Sequence, residues 1–251
     1  MRRMRHLKPR EIQGCDVAFQ FWRPETLYDA TSGGSLVGSA GSIARAEDVS
    51  GNGNHATQSA SGARPTRQVA AQNGLDAARF DQTDDYLTAG DVADMLNNPV
   101  ECYATFIRTG TAGRNVFGKS AASAASGRWN LSAFDAFLFA GSTAEGIEAT
   151  LTSSANLQTL YGHDPRNTGV ATIVRNAKTT ATAARTDNGT SYNTAHILLV
   201  GAYQNFAGTD VLANTYLGGD IIECAKYSRN LGAQTRLRIQ HAAMRRARIA
   251  G

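Results

Sequence analysis

The stretch Tyr216–Leu231, YLGGDIIECAKYSRNL, constrains this chain more than any other. Ile221, Ile222, Cys224, Ala225 and Tyr227 put apolar side chains on both faces of an extended segment. A strand held between two packed layers needs that pattern. Two glycines precede it, and Ser228–Asn230 reads as the turn that ends it. Under strict alternation Glu223 falls mid-strand on the face of Ile221, Ala225 and Tyr227. A carboxylate on an apolar face is costly unless it is hydrogen-bonded. Glu223 is therefore expected to tie a neighbouring backbone group or hydroxyl, as architecture rather than catalysis.

The rest of the chain repeats the strand signal. Asp16–Trp22 alternates well enough for a first strand. Residues 31–41 read as a Gly/Ser-rich loop, 48–58 as a turn and 59–74 as a surface excursion. Short strands follow at 77–81, 85–89, 100–108, 115–119, 128–140, 146–151, 157–162, 170–176, 178–186, 195–203 and 216–227. Asp91–Leu96 suggests one helical turn. Leu231–Ala247, rich in Ala, Gln and Arg, is the one clear helix, and its basic end suits the helix dipole. Many strands, frequent turns and no βαβ rhythm predict an all-β, antiparallel two-sheet sandwich. The 251 residues divide into a basic N-terminal arm (1–14), the sandwich (15–230) and a basic C-terminal helix (231–251).

Charge is distributed unevenly. Arg2, Arg3, Arg5, Lys8 and Arg10 stand in the first ten residues with no acid. Arg236, Arg238, Arg245, Arg246 and Arg248 stand in the last twenty-one, again with no acid. Against a net charge of +4, residues 11–230 therefore carry −6. Basic ends either contact acidic partners or stay solvated. The arginines lack interleaved aromatics, which disfavours a nucleic-acid partner. The opening MRRMRHLKPREIQG has no apolar run behind it and does not read as a secretory signal. No segment approaches the roughly 18 apolar residues of a membrane helix. Cys15, Cys102 and Cys224 are an odd number without close spacing, which fits free thiols better than a disulfide framework.

Gly219-Asp220-Ile221-x-Glu223-x-x-x-Tyr227-x-Arg229-x-Leu231, followed by a short basic helix, resembles the C-terminal signature of laminin-G-like domains. These belong to the concanavalin A-like lectin/glucanase superfamily. A second match covers Tyr28-Asp29-Ala30, the run Asp48–Gln58, Arg64-Pro65-Thr66, Arg79-Phe80-Asp81 and Asp84-Asp85-Tyr86-Leu87. It is similar to the opening of the same domain as found in bacteriophage virion proteins and bacterial surface proteins. The resemblance implies a jelly-roll sandwich. With no export signal and with basic ends, it points to a bacteriophage virion component: a tail, tail-tip or capsid-decorating protein made in the host cytoplasm. The basic arm (Arg2, Arg3, Arg5, Lys8, Arg10) would anchor it to other virion proteins. Copies on one particle, or a homo-oligomer, would multiply weak host-glycan binding. A free bacterial carbohydrate-binding module is the alternative. Relatives carry glycan sites in loops between strands, which points to Tyr203, Asn205 and Asp210 in the long Gly201–Thr215 connection.

Other motifs are weaker. Gly113–Ser120 fits the phosphate-loop pattern G-x-x-x-x-G-K-S. Val116 and Phe117 are too large for a phosphate cradle, and no parallel sheet is in prospect, so a hairpin strand is expected instead. Asp48-x-Ser50-x-Asn52-Gly53 imitates the start of a calcium loop, but Ser59 stands where the bidentate acid belongs. Turn capping is the favoured reading, with rim calcium at Asp48, Ser50 and Asn52 the alternative. Glucanase relatives use carboxylates alternating along one strand. Here Asp84 and Asp85 are adjacent, and Asp220 and Glu223 fall on opposite faces under alternation. No catalytic constellation emerges, and no enzyme, metal site or cofactor is predicted. Trp22 and Trp129 read as core residues before sugar platforms.

Overall fold

The structure is a computed structural model that describes residues 9–93, 99–110, 115–119, 129–132, 136–138, 147–149, 157–165, 168–186, 196–203, 211–212 and 215–249. A 3-10 turn at Pro9–Glu11 leads into β1 (Cys15–Gln20), β2 (Leu27–Tyr28), β3 (Arg45–Ala46) and β4 (Ala56–Thr57). β5 (Thr66–Gln72), β6 (Leu75–Asp81), β7 (Leu87–Gly90), β8 (Val100–Arg108) and β9 (Asn115–Lys119) follow. Next come β10 (Trp129–Ser132), β11 (Ala136–Leu138), β12 (Ile147–Ala149), β13 (Gln158–Asp164) and β14 (Thr168–Arg175). The chain closes with β15 (Lys178–Thr186), β16 (Leu198–Val200), β17 (Gly218–Tyr227) and helix α1 (Gly232–Ala247).

The strands form two antiparallel sheets. The first runs β15-β14-β13-β8-β17-β6-β5, with β1 also paired to β17. The second runs β12-β11-β10-β9-β16-β7-β4-β3-β2. Between them lies a core that includes Val17, Phe19, Phe80, Phe106, Phe117, Trp129, Leu198 and Cys224. Phe117 packs edge-on against Trp129 at 5.0 Å and against Phe19 at 6.4 Å. Such aromatic pairs add about 0.5–1.5 kcal/mol beyond the area they bury. Among the described residues no helix is long and apolar enough to cross a membrane.

β17 is central and buried along its whole length, as its sequence predicts. Its inner face meets the sheet-to-sheet core. On its outer face, Ala225 and Tyr227 pack with Ala18, Tyr103, Tyr161, Ile239 and Ala243, beneath α1. One β-edge of β17 is shared, since β6 pairs with its first residues and β1 with its last.

Strict alternation fails in the middle of β17. Ile221 pairs with Phe106 and Glu223 with Thr105, so Ile222 is an extra residue in a bulge. Ile221 and Cys224 both point into the core, while Glu223 shares the outer face with Ala225 and Tyr227. Ile221 is therefore not on the Glu223 face. Asp220 stands opposite Arg79, outward, while the neighbouring pair Ile221–Ala78 faces the core. The bulge thus puts Asp220 and Glu223 on the same face, not on opposite ones.

The segment 59–74 also departs from expectation. Thr66–Gln72 is an edge strand paired with β6, not an excursion. None of its side chains is fully buried, so it carries no apolar alternation to read. The stretch 195–203 shortens to β16, and 128–140 holds two strands. Residues 91–93 are not helical, and 94–96 lie outside the described residues. Of the arm, residues 9–14 pack on the sandwich: Pro9 is buried, and Ile12 joins the cluster beneath α1. Residues 1–8 lie outside the described residues.

Candidate functional site

The site is built on the outer face of the second sheet, where β9, β10 and β16 meet. Trp129 and Leu131 point into the core, so Asn130 and Ser132 point out. Between the pairs Leu131–Phe117 and Ser132–Asn115, β9 carries one extra residue. Val116 and Phe117 both enter the core, and Asn115 swings outward. Gly118 stands opposite Asn130, and a Cβ on it would lie 2.6 Å from Asn130 Cα.

After β16 the chain turns at Gly201, which has φ +87° and no room for a side chain against the Phe80 ring. The turn carries Ala202 and Tyr203 across the two asparagines. Asn115 Nδ2 donates to the Ala202 carbonyl at 2.6 Å. Asn130 Nδ2 meets the Tyr203 hydroxyl at 2.9 Å. Tyr203 N donates to Thr215 Oγ1 at 3.2 Å, and Leu212 N to the Tyr203 carbonyl at 2.8 Å. Asn115 and Asn130 are 1% and 0% exposed, yet among the described residues Oδ1 of each has no donor. Turning the Asn130 amide over would leave its nitrogen unpaired instead. A buried polar atom without a partner is uncommon and calls for an explanation. Neither oxygen is open to solvent, so the half-buried Tyr203 ring, held by Asn130, is the part of this corner that a ligand can touch.

Of the expected glycan residues, Tyr203 is therefore at a polar corner. Asn205 and Asp210 lie outside the described residues. Reading the sequence missed Asn115 and Asn130 because both sit inside strands, where a polar residue looks like an ordinary outward position. Arg2, Arg3, Arg5 and Lys8 also lie outside the described residues, and Arg10 is exposed.

The other expected groups are structural. Asp48 Oδ1 accepts from Ala18 N at 3.0 Å and Ser50 N at 2.8 Å. Its Oδ2 accepts from Ser50 Oγ at 2.7 Å and Asn54 N at 3.0 Å. Asn52 Nδ2 donates to the Cys15 and Asp16 carbonyls at 2.8 and 2.9 Å. Both Asp48 oxygens are occupied and Asn52 is donating, so the three residues do not fit a calcium ion. They pin the 48–54 turn to β1. Asn115–Lys119 of the phosphate-loop pattern is a buried strand, and Lys119 pairs with Asp91. Gly113, Arg114 and Ser120 lie outside the described residues. Trp129 is core; Trp22 donates to Glu223 Oε2 at 3.2 Å and lies under Arg246.

The buried carboxylates of the first sheet are also engaged. Glu223 takes Arg246 and Trp22, not the backbone or hydroxyl partner expected from the sequence. Asp220 takes a two-pronged bond from Arg79 at 2.7 and 2.9 Å. Glu101 accepts from Tyr161, from Arg236 Nε at 2.9 and 3.0 Å, and from Leu231 N at 2.9 Å. Burial pushes the Glu101 carboxyl up, but His163 and Arg236 outweigh it, and the net direction is below the ordinary value.

No protein-family model matches the sequence, and no curated protein matches it. Solved structures do share its shape. An arabinofuranosidase complexed with arabinofuranosyl-alpha-1,2-xylobiose aligns with a TM-score of 0.61 at 14% identity, over 94% of this chain and 64% of the other. Domain 4 of AbnA, a GH43 extracellular arabinanase from Geobacillus stearothermophilus in complex with arabinotriose, gives 0.55 at 11% identity over 91% and 98%. A botulinum neurotoxin type C structure, described with two ganglioside molecules in cell entry, gives 0.54 at 8% identity over 93% and 52%. This chain thus spans less than two thirds of the arabinofuranosidase and nearly all of the arabinanase domain. At these identities the likeness establishes the fold alone, a two-sheet β-sandwich.

Proposed function

We propose that this chain is a non-catalytic saccharide-binding module. The observation that carries the reading is Tyr203, a half-buried aromatic at a polar corner where Asn130 holds its hydroxyl and Asn115 holds the Ala202 carbonyl before it. The Tyr203 ring would pack on a sugar face, with Asn130 fixing where its hydroxyl sits. The sandwich, which matches nearly the whole of a domain described in complex with arabinotriose, supports the same reading. Glu101, Asp220 and Glu223 are held in ion pairs, which supports a binding role over hydrolysis. Calorimetric titration with arabinotriose and a panel of neutral oligosaccharides tests it. Binding that Tyr203→Ala and Asn130→Ala each weaken by about tenfold is the expected result. Saccharide binding untouched by both variants, or release of nitrophenol from a nitrophenyl arabinofuranoside, would remove it.

We place this module on a bacteriophage virion, in many copies, as a tail, tail-tip or capsid-decorating component. The support is the resemblance of 28–87 and 219–231 to laminin-G-like domains of virion proteins, together with the basic ends. A particle would turn weak single-site affinity for a host glycan into firm attachment. Immunogold labelling and mass spectrometry of purified particles test this placement. Absence of the chain from particles, with a soluble monomer that binds sugar, would favour a free carbohydrate-binding module.

A further inference from the structure

α1 has two chemically different sides. Its inward arginines are neutralised: Arg236 binds Glu101 and Arg246 binds Glu223. Its outward stripe is Gln234, Leu237, Arg238, His241 and Arg245, continued by Arg248 at the cap. These positions recur every three or four residues and so form one ridge. From Gln234 to Arg245 it is about 16 Å long at 1.5 Å per residue. Residues 231–251 contain no acid. Among the described residues no carboxylate pairs with Arg238, Arg245 or Arg248.

Leu237 adds an apolar spot to the basic ridge. It is 40% exposed, with Arg238 beside it and His241 one turn on. Where α1 begins, a groove of about 250 Å³ opens between the helix and the 9–14 segment. Ile12 and Leu231 give it apolar walls, Arg229 and Arg238 flank it, and Glu11 is its single acid. Apolar anchors ringed by arginines are the chemistry of protein interfaces. Nucleic acid would use the arginines but not Leu237 or the apolar walls, and no aromatic stands on the ridge for base stacking.

The geometry points to this ridge and groove as a docking surface for an acidic protein segment that carries an apolar anchor. Partner carboxylates would pair with Arg238, Arg245 and Arg229, and its apolar side chain would cover Leu237 or enter the groove. The surface lies on the first sheet, away from Tyr203, and stands whether or not a saccharide binds there.

Fluorescence anisotropy with the full chain tests it, using three labelled probes: a helical peptide pairing Glu with Leu, poly-L-glutamate, and a short DNA duplex. The Glu/Leu peptide is expected to bind tightest. Arg238→Glu/Arg245→Glu should weaken it about tenfold or more, through repulsion as well as lost pairing. Leu237→Ser should weaken it about threefold and leave poly-L-glutamate unchanged, because only the peptide covers the leucine. R238Q/R245Q should fall between. All these positions are exposed, so thermal midpoints should match the parent. Peptide affinity unmoved by the charge reversal overturns the inference. So does a duplex that binds as tightly as the peptide, with Leu237→Ser without effect on either.

Discussion

Arg246 Nη2 donates to both oxygens of Glu223, at 2.6 and 2.8 Å, and so fastens the last turn of α1 to the middle of β17. The carboxylate is 1% exposed. Burial opposes the guanidinium charge, but Glu223 outweighs it and raises the Arg246 pKa. Trp22 completes the contact from the end of β1, with its indole N–H on Glu223 and its ring under the guanidinium.

Arg246→Met leaves a buried carboxylate without its ion partner. Urea unfolding should show a loss of about 3–5 kcal/mol, the usual cost of breaking one side of a buried pair. Adding Glu223→Gln should recover part of it, because the remaining amide carries no charge. A double variant no better than Arg246→Met alone would show that packing, not pairing, sets the effect.

Two carboxylates give opposite pH dependences. Burial and then the Asp81 and Asp84 charges push Asp85 from 3.8 up to about 7. Between about pH 4 and 7 the folded chain holds a proton there that the unfolded chain has released, so this contribution to stability falls as pH rises through that window. Asp85→Asn should therefore raise the melting temperature at pH 8, and by less at pH 5. Glu101 is depressed in the folded state, so its contribution is present above 4.5 and fades as pH falls through its folded value. Glu101→Gln should cost stability at pH 7, and less in acid. Melting curves of both variants from pH 4 to 8 check the signs.

Gly118→Ala tests the closeness of β9 to β10. The new methyl would meet the Asn130 backbone, and the strands must separate. A loss of about 1–3 kcal/mol is expected, with weaker saccharide binding because Asn130 moves. Full stability in thermal melts would contradict this close approach.

The thiols should be silent in the native protein. Cys15, Cys102 and Cys224 are buried and form no disulfide with one another. Burial, then Asp48 and Asp16, pushes the Cys15 thiol up, and burial does the same for Cys224. Since the thiolate is the reactive form, a thiol reagent should label the chain slowly at pH 8 and completely in urea. Rapid native labelling would contradict this packing.

The sequence by itself determined the all-β class, the position of the buried strand that ends at Tyr227, most of the inner strands and the long C-terminal helix. These are local properties: periodicity, turn residues and charge placement are written within a few neighbouring positions. Tertiary structure alone decided which groups meet. An extra residue at Ile222 reversed the face of half of β17, because register depends on the partner strand and not on the strand's own composition. Thr66–Gln72 became a strand by pairing with β6, although its own side chains do not alternate. Arg246 found Glu223 by the docking of α1, and a turn at Gly201 brought Ala202 to Asn115 and Tyr203 to Asn130. Such contacts join residues tens of positions apart, and long-range pairing leaves no periodic trace along the chain.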